Sequence, residues 1–258
     1  MTELKATDLS ASIGRSKILD GVSVSFGAGE LVGLIGPNGA GKTSLLKCLL
    51  GLLKPDSGAI SLDGQALPVW SRSEVARRLG YLPQGAPCHW PMTAERIVEL
   101  GWLPHAATMR KNDNQVQTSV DKALAQTGTT HLRNRVVTTL SGGERTLVMI
   151  ARCLAGRAPL LLADEPVTGL DPRHQIEIMQ TLHAHAAGPG GVVAVVHDLN
   201  LAARFCSRLV LMDQGRIVSV GTPNQVLTPE RLAKVYGIDV ALQSVDGQKV
   251  VVYRSPQD

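Results

Sequence analysis

Residues 31–43 read LVGLIGPNGAGKT, and this stretch decides the fold. Leu31–Ile35 is a short apolar run that is typical of a buried strand. Residues 36–43 fit the pattern G-x-x-x-x-G-K-[ST], and residues 43–52 have the composition of a helix. A strand, a glycine-rich loop and a helix in this order predict an α/β domain with a phosphate-binding loop at the end of a strand.

The predicted loop carries residue types that hold the phosphates of a nucleotide. Its glycines let several backbone N–H groups turn toward phosphate oxygens, and the helix that follows adds the positive end of its dipole. The Lys42 ammonium can reach the β- and γ-phosphates, and the Thr43 hydroxyl can ligate Mg²⁺. The loop predicts a nucleotide-binding protein without distinguishing an ATPase from a kinase or a GTPase. The residues expected to contact the nucleotide are Gly36, Pro37, Asn38, Gly39, Ala40, Gly41, Lys42, Thr43 and Ser44.

A second apolar run, LLLADE at 160–165, ends in two carboxylates. In a parallel sheet the carboxyl ends of the strands face the ligand. We therefore expect Asp164 to hold Mg²⁺, directly or through water, and Glu165 to polarise an attacking water. A guanine-reading N-K-x-D motif and an arginine-rich lid are both missing from the sequence, which argues against a G-protein and a small-molecule kinase.

Two further polar residues lie beside predicted strands. Gln84, in YLPQ, follows a short strand at 80–82, and its amide could reach the magnesium or the water. His197, in VVAVVHDLN, ends an apolar strand, and its imidazole could bond the γ-phosphate. Taken singly, each is better explained as an ordinary loop glutamine or strand-end histidine. Their occurrence together with the phosphate loop favours the functional interpretation.

The order of elements predicts three parts. Strand and helix signals alternate in residues 1–84 and 158–222, which predicts a nucleotide-binding core whose mainly parallel sheet has helices on both faces, with antiparallel N-terminal strands. Residues 85–157 read as an inserted helical subdomain, with helices at 93–101, 114–127 and 142–156. Residues 223–258 predict a C-terminal helix that begins at Thr228–Pro229, followed by a hairpin that turns at Asp246–Gly247.

Composition limits the remaining classes. Apolar residues make up 44% of the 258 residues and the net charge is +4, but the basic residues are scattered, which makes nucleic-acid binding a weak interpretation. The four cysteines have no CxxC spacing and are typical of thiols in a reducing compartment. The first residues, MTELKATDLS, lack the charged-then-apolar pattern of a signal peptide, and the sequence contains no run of 18 apolar residues. We expect a cytosolic protein, unless a partner holds it to a surface.

In their order, GPNGAGKT, YLPQ, LSGGE, LLLADEP, GLD and VVHD make the chain resemble the ATP-binding-cassette (ABC) ATPases over roughly residues 3–225. The resemblance implies that Gln84 senses Mg²⁺ and water, that Asp164 is the metal-side aspartate, that Glu165 is the catalytic glutamate and that His197 is the switch histidine. Many family members stack an aromatic residue on the adenine. The matching position here is Ile13, which can pack on a base but has no π system to stack.

LSGGE, at 140–144, is a second loop that presents amides to an anion, because residues 142–156 begin a helix there. The family's arrangement implies that this signature and the phosphate loop of another chain lie on opposite sides of one ATP. A head-to-tail pair then has two complete sites. The residues expected to reach the neighbour's nucleotide are Ser141, Gly142, Gly143, Glu144 and Asp171, the last from GLD.

The resemblance extends to function. A cassette with no fused membrane segment, and with GTPNQVLTPERLAKVYGIDV near its end at residues 221–240, looks like the importer ATPases for iron-siderophore, haem and cobalamin. It implies a homodimer on the cytoplasmic face of the bacterial inner membrane that uses ATP and Mg²⁺. Its partners would be two integral membrane permease subunits and, through them, a periplasmic or lipid-anchored substrate-binding protein. We expect PCHWPM, at 87–92, to help form the groove for the permease, although a loop packed on its own domain is an equal alternative. Two other functions remain open, a soluble ATPase of an assembly pathway such as iron–sulfur cluster building and an exporter's ATPase.

Overall fold

The computed structural model describes residues 2–85, 88, 90–106, 113–245 and 248–254. The elements of the first half are β1 (Glu3–Ile13), β2 (Ser16–Gly27), β3 (Leu31–Ile35), α1 (Lys42–Leu49), β4 (Ser57–Leu62), β5 (Gln65–Ala66), α2 (Arg72–Arg78), β6 (Leu79–Leu82), α3 (Ala94–Glu99) and α4 (Asp113–Gln126). Those of the second half are α5 (Gly142–Ala155), β7 (Leu160–Ala163), α6 (Pro172–Ala187), β8 (Gly191–Val195), α7 (Leu199–Phe205), β9 (Arg208–Asp213), β10 (Arg216–Gly221), α8 (Pro223–Val226), α9 (Pro229–Tyr236), β11 (Val240–Val245) and β12 (Gln248–Tyr253).

A six-stranded sheet in the order β10-β9-β3-β8-β7-β6 forms the centre of the fold. The five strands from β9 to β6 run parallel to one another, and β10 is an antiparallel edge strand. A second sheet, β2-β1-β4-β5, is antiparallel. The α/β class, the mainly parallel core and the antiparallel N-terminal strands are as predicted.

Successive side chains along each central strand point to opposite faces of the sheet and pack into two separate cores. On β8, Val192 and Ala194 pack with the helical residues of α5, α6 and α7. Val193 and Val195 pack with α1 and with the antiparallel sheet. Strands buried on both faces read as continuous apolar runs, which is why the sequence identified them. Helices lie on both faces as predicted, but the antiparallel sheet shares one face with α1.

Three strands were not identified from the sequence, namely β1, β10 and the two-residue β5. In β1, the buried positions run Leu4 and Ala6, then Leu9 and Ala11. A register shift lies between Ala6 and Leu9, where Asp8 has a φ of 48°. This bulge moves the alternation by one residue and hides the period of two. The edge strand β10 alternates only between half-buried and exposed residues.

The predicted helical region contains α3, α4 and α5, and its described residues form no strand, only an isolated bridge between Thr93 and Val136. The chosen boundaries, 85–157 and 223–258, remain a prediction. In the part of the chain that the structure describes, no helix combines the length and apolar character that a bilayer span requires.

The C-terminal elements agree with the prediction. Thr228 caps α9, Pro229 follows it, and β11 pairs with β12. The turn assigned to Asp246 and Gly247 lies outside the described residues. The Asn200 side chain of α7 donates to the Val251 carbonyl (3.3 Å) and accepts from the Val251 N–H (2.7 Å). The hairpin is thus attached to the helix that begins just after His197.

Candidate active site

The phosphate loop joins β3 to α1 and is held by backbone contacts on both sides. A Cβ on Gly36 would lie 2.1 Å from the Met212 carbonyl oxygen, and one on Gly41 would lie 2.6 Å from the Ile18 carbonyl oxygen. Both glycines also have positive φ, 145° and 95°. Glycine is therefore required at these positions by space and by conformation. The closely packed strands β2 and β9 fix where the loop can lie.

Lys42 is buried in this loop. Its Nζ donates to the carbonyls of Gly36 and Pro37, both at 2.8 Å. Burial lowers the pKa of Lys42, although Glu165 and Asp164 oppose the change. An ammonium has three N–H donors, so one remains after these two bonds. A buried cation with a donor to spare is suited to an anion such as a phosphate.

Asp164 follows β7 and is only 1% exposed. It accepts a hydrogen bond from the Thr43 hydroxyl, with 2.9 Å between Oγ1 and Oδ1. Burial raises the pKa of Asp164 despite that bond and the nearby Lys47 and Lys42. A cation would stabilise this buried carboxylate, and the two oxygens are hard ligands of the kind that Mg²⁺ prefers.

Protein side chains alone do not complete a metal site here. Among the described residues, no three His, Cys, Asp or Glu side chains form a group that could hold a metal. Mg²⁺ commonly uses one or two carboxylates together with substrate phosphates and water. Thr43 and Asp164, beside a phosphate loop, fit that mode of binding.

Glu165 is the centre of a hydrogen-bonded cluster. Its Oε1 lies 2.7 Å from Nε2 of His197, and its Oε2 accepts from Gln84 Nε2 (2.8 Å) and from Thr168 Oγ1 (3.1 Å). Burial is the largest single influence on the pKa of Glu165 and raises it. The hydrogen bonds from His197, Thr168 and Gln84, with the charge of His197, together outweigh burial, so the net effect lowers the pKa. The carboxylate is therefore ionised at neutral pH.

The backbone at Glu165 is also unusual. Its φ of 51° lies in the left-handed region, which non-glycine residues rarely adopt. The next turn, closed by a bond from the Thr168 N–H to the Glu165 carbonyl (3.4 Å), holds the residue there. This backbone sets the direction in which the carboxylate leaves the end of β7.

The signature segment forms the beginning of α5. Ser141 is the N-cap, and its hydroxyl accepts from the Glu144 N–H (3.3 Å) while the Glu144 carboxylate accepts from the Ser141 N–H (2.9 Å). The helix therefore starts with a capping box. Hydrogen bonds from the backbone and hydroxyl of Ser141 lower the pKa of Glu144. The negative charge of Glu144 is used within its own chain.

Asp171 caps the next helix, α6, and belongs to the same surface. Its Oδ1 accepts from the His174 N–H (3.1 Å), and its Oδ2 lies 2.6 Å from Nδ1 of His174. The ring of His174 lies over Gly143. The predicted trans contacts therefore form one group, separate from the group around the phosphate loop. Among the residues described, no hydrogen bond or ion pair joins the two groups.

Comparison with known proteins shows which family has this sequence and fold. The sequence profile described as "ABC transporter" matches residues 19–168, more than half of the chain. The chain belongs to the ABC transporter family. Like other ABC ATPases it binds and hydrolyses ATP.

Relatives match most of the chain. The hemin import ATP-binding protein HmuV of Pseudomonas entomophila (strain L48) is 43% identical over 235 residues, which is 89% of this chain and 91% of that protein. The cobalamin import ATP-binding protein BtuD of Halobacterium salinarum (strain ATCC 29341 / DSM 671 / R1) is 40% identical over 240 residues, 93% of this chain and 60% of that protein.

Solved ABC structures share the fold. A putative metal-chelate type ABC transporter in an inward-facing conformation superposes with a TM-score of 0.83 at 24% identity, covering 98% of this chain and 97% of that one. An ATP-binding cassette, dimeric in a post-hydrolysis state with ADP and Pi, superposes with a TM-score of 0.74 at 26% identity, covering 85% and 98%.

The predicted residues fall into three sets. The phosphate loop, Gln84, Asp164, Glu165 and His197 lie together, and Ser141–Glu144 lie with Asp171. Ile13 is in neither set. It is 59% exposed near the tip of the β1–β2 hairpin, where it pairs with Ser16. Its assignment to the adenine, like the other assigned roles, remains a prediction.

Two contributing residues were not identified from the sequence. Thr168 donates to Glu165, and the signal for it is a hydroxyl residue three positions after this glutamate in a tight turn. His174 packs on Gly143, which is 31 positions away. No local pattern connects that pair, because only the folded chain brings them together.

Proposed function

We propose that this chain is the ATP-binding and hydrolysing subunit of a bacterial importer that takes up a metal chelate such as hemin, cobalamin or an iron-siderophore. The observation that carries the proposal is the 43% identity to a hemin import ATP-binding protein over 89% of this chain. The relatedness includes the region beyond the family profile, which ends at residue 168. An exporter or an assembly ATPase would share the cassette without this similarity to import subunits.

We assign roles in hydrolysis to the described side chains. Lys42 and the backbone N–H groups of the phosphate loop bind the phosphates, and Thr43 and Asp164 would hold Mg²⁺. When bound, Mg²⁺ neutralises charge that develops on the phosphate oxygens. Glu165 accepts a proton from the attacking water, and Gln84 and His197 orient its carboxylate. In the structure His197, Gln84 and Thr168 all bond to the Glu165 carboxylate. The attacking water must therefore replace one of these partners or share a carboxylate oxygen with it.

The site is complete only when a second copy contributes the signature. Among the described residues of one chain, the phosphate loop and the group around Ser141 share no hydrogen bond. The N-terminus of α5 presents backbone N–H groups at Gly142 and Gly143, and its dipole favours an anion. We propose that ATP closes two chains head to tail so that each signature meets the partner's γ-phosphate, and that hydrolysis reopens them. The dimeric relative with ADP and Pi supports this arrangement.

A permease surface is proposed beside Gln84. Trp90 is 68% exposed, and Met92 packs against the core that contains α3 and α5. Pro87 and His89, from the same predicted groove, lie outside the described residues. An apolar cavity of about 630 Å³ lies between the end of α1, β4 and α2, with Leu53, Trp70 and Tyr81 in its lining. These apolar features suit a helix on the cytoplasmic side of an integral membrane subunit, which would hold the chain at the inner membrane and link it to a substrate-binding protein.

Co-purification in detergent tests the import role. We expect integral membrane proteins to accompany the chain, and a chelate bound by their substrate-binding protein to stimulate ATP hydrolysis. Recovery of soluble partners alone would instead support the assembly function.

Replacing Trp90 with aspartate tests the docking surface. We expect W90D to lose the membrane partner while the isolated chain keeps its ATPase activity. Val218, an exposed residue on the edge strand β10, provides the control V218D, which should retain the partner. Intact partner binding in W90D would exclude this surface.

A further inference from the structure

His174 links two elements that the proposed function assigns to the neighbouring site. It lies in the first turn of α6, one turn from the N-cap Asp171. Both carboxylate oxygens of Asp171 bond to it, Oδ1 to its N–H (3.1 Å) and Oδ2 to Nδ1 of its ring (2.6 Å). The second bond is additional to an ordinary N-cap, which uses one backbone N–H.

The same ring explains the second glycine of the signature. A Cβ on Gly143 would lie 2.2 Å from Cδ2 and 2.3 Å from Cγ of His174. Gly143 is not among the residues with positive φ, so its backbone conformation does not require glycine. Glycine in a helix is less stable than alanine by roughly 1 kcal/mol. Close packing against His174 is what excludes a side chain at position 143 within one chain.

Leu170 limits the space at Gly142 in a similar way. A Cβ on Gly142 would lie 3.1 Å from Cδ2 of Leu170, the residue before Asp171. The backbone of Leu170 is in turn held by Gln175, whose Nε2 donates to its carbonyl (3.0 Å). The segment 170–174 therefore lies along both glycines of the signature.

The carboxylate of Asp171 remains available to another chain. Its side chain is 58% exposed, whereas that of His174 is 25% exposed. An exposed aspartate ordinarily samples several rotamers, and fixing it on binding costs free energy. The two bonds to His174 fix its orientation in advance. The nearby Arg173 and Glu177 pair with each other at 2.9 Å instead.

We propose that His174 is a positioning residue that holds Asp171 and the signature loop, residues 141–143, as one rigid edge for docking on the partner chain. This inference rests on the proposed two-chain site. His174 itself does not touch nucleotide or the reacting atoms. It acts through Asp171 by its hydrogen bond and through Gly143 by its ring.

Three substitutions in the full-length chain separate these contributions. H174A removes the bond and the ring, H174F keeps a ring over Gly143, and H174N keeps an N–H donor near the position of Nδ1. His183, on the same helix, has one ring bond to the Phe205 carbonyl (3.0 Å) and lies away from the signature. H183A is therefore the matched control for loss of a histidine from α6.

The measurements are kcat and KM for ATP, ATP affinity of the monomer, and ATP-driven dimerisation in the E165Q background by sedimentation. For H174A we expect kcat to fall about tenfold and the concentration for half-dimerisation to rise about tenfold. ATP affinity of the monomer should stay within about twofold. We expect H174N to retain more activity than H174F, and H183A to match the parent protein.

Two results would overturn the inference. One is a kcat and a dimerisation midpoint for H174A within twofold of the parent. The other is H174F matching the parent while H174N is as impaired as H174A, because the bond to Asp171 would then have no role. If E165Q alone fails to dimerise with ATP, the two-chain site itself is wrong, and this outcome is separate because it does not involve His174.

Discussion

Nε2 of His197 lies 2.7 Å from Oε1 of Glu165 at the carboxyl ends of two neighbouring strands. β7 and β8 run parallel with Ala163 opposite Ala194, so the residues that follow them meet at one edge of the sheet. The other carboxylate oxygen accepts from Gln84 and Thr168. All three donors bond to the carboxylate that we propose as the proton acceptor, and their removal has measurable consequences.

The first prediction concerns the base. E165Q should bind ATP and lose about 10²- to 10⁴-fold in turnover, because an amide cannot accept the proton from water. Phosphate release and equilibrium nucleotide binding measure the two effects. Glu177, on α6, supplies the control E177Q, which loses only an exposed pair with Arg173 and should retain full turnover. Turnover of E165Q near that of the parent would remove Glu165 from its assigned role.

The second prediction concerns acid stability. The pKa of Glu165 is lowered in the folded chain, so its carboxylate stabilises the fold above the unfolded pKa of about 4.3. That contribution is lost as the pH falls through the folded pKa. H197A removes a main cause of the lowering and leaves burial, which raises the pKa. We expect its acid unfolding to begin at a higher pH than in the parent, measured by circular dichroism between pH 3 and 6. An unchanged acid midpoint would contradict the assigned cause.

The third prediction concerns Asp164, whose pKa is shifted in the opposite direction to that of Glu165. Burial raises the folded pKa of Asp164, so its contribution to stability is present below the unfolded pKa and is lost as the pH rises through the folded pKa. D164N removes this buried charge, and its amide oxygen can still accept from Thr43. Without nucleotide at pH 7 to 8, D164N should melt at a higher temperature than the parent, as measured by scanning calorimetry.

With ATP and Mg²⁺ the order should reverse, because the parent gains more from ligand binding. A lower melting temperature for nucleotide-free D164N would show that the buried carboxylate stabilises the fold.

The fourth prediction concerns the signature. S141R should bind ATP as a monomer with nearly unchanged affinity and have no turnover, because a bulky charged side chain blocks the neighbour's phosphate. The chain contains its own control. Ser71 caps α2 with the same capping box, formed with Glu74. S71R loses an equivalent cap, which costs about 1 kcal/mol, and should keep its turnover. Equal loss of activity in both variants would assign the effect to helix stability.

The sequence was sufficient for elements whose patterns are local. The helix expected at 142–156 begins at Gly142 as predicted and ends one residue earlier, at Ala155. The apolar runs before Gly36 and Asp164 were identified as strands because both faces of each are buried. The phosphate loop and the residues at strand ends followed from these elements, since parallel strands bring their carboxyl ends together.

What the sequence could not supply depends on contacts between distant segments or on the backbone itself. The bulge at Asp8 disguised β1. The packing of His174 on Gly143 joins two helices through no repeating pattern. The bond from Thr168 to Glu165 depends on how the turn after β7 is closed. The bulge interrupts the period of two in β1, and the other two contacts leave no trace in composition or period.

The left-handed backbone at Glu165 has a consequence for the selection of variants at this position. Glycine and asparagine adopt a φ near 51° at less cost than glutamate does. Replacing Glu165 with glycine would relieve that strain, but it would also remove the ionised carboxylate that stabilises the fold and is the proposed base. A library selected only for survival of heat therefore does not report on the base at this codon, and such a screen needs a turnover step beside it.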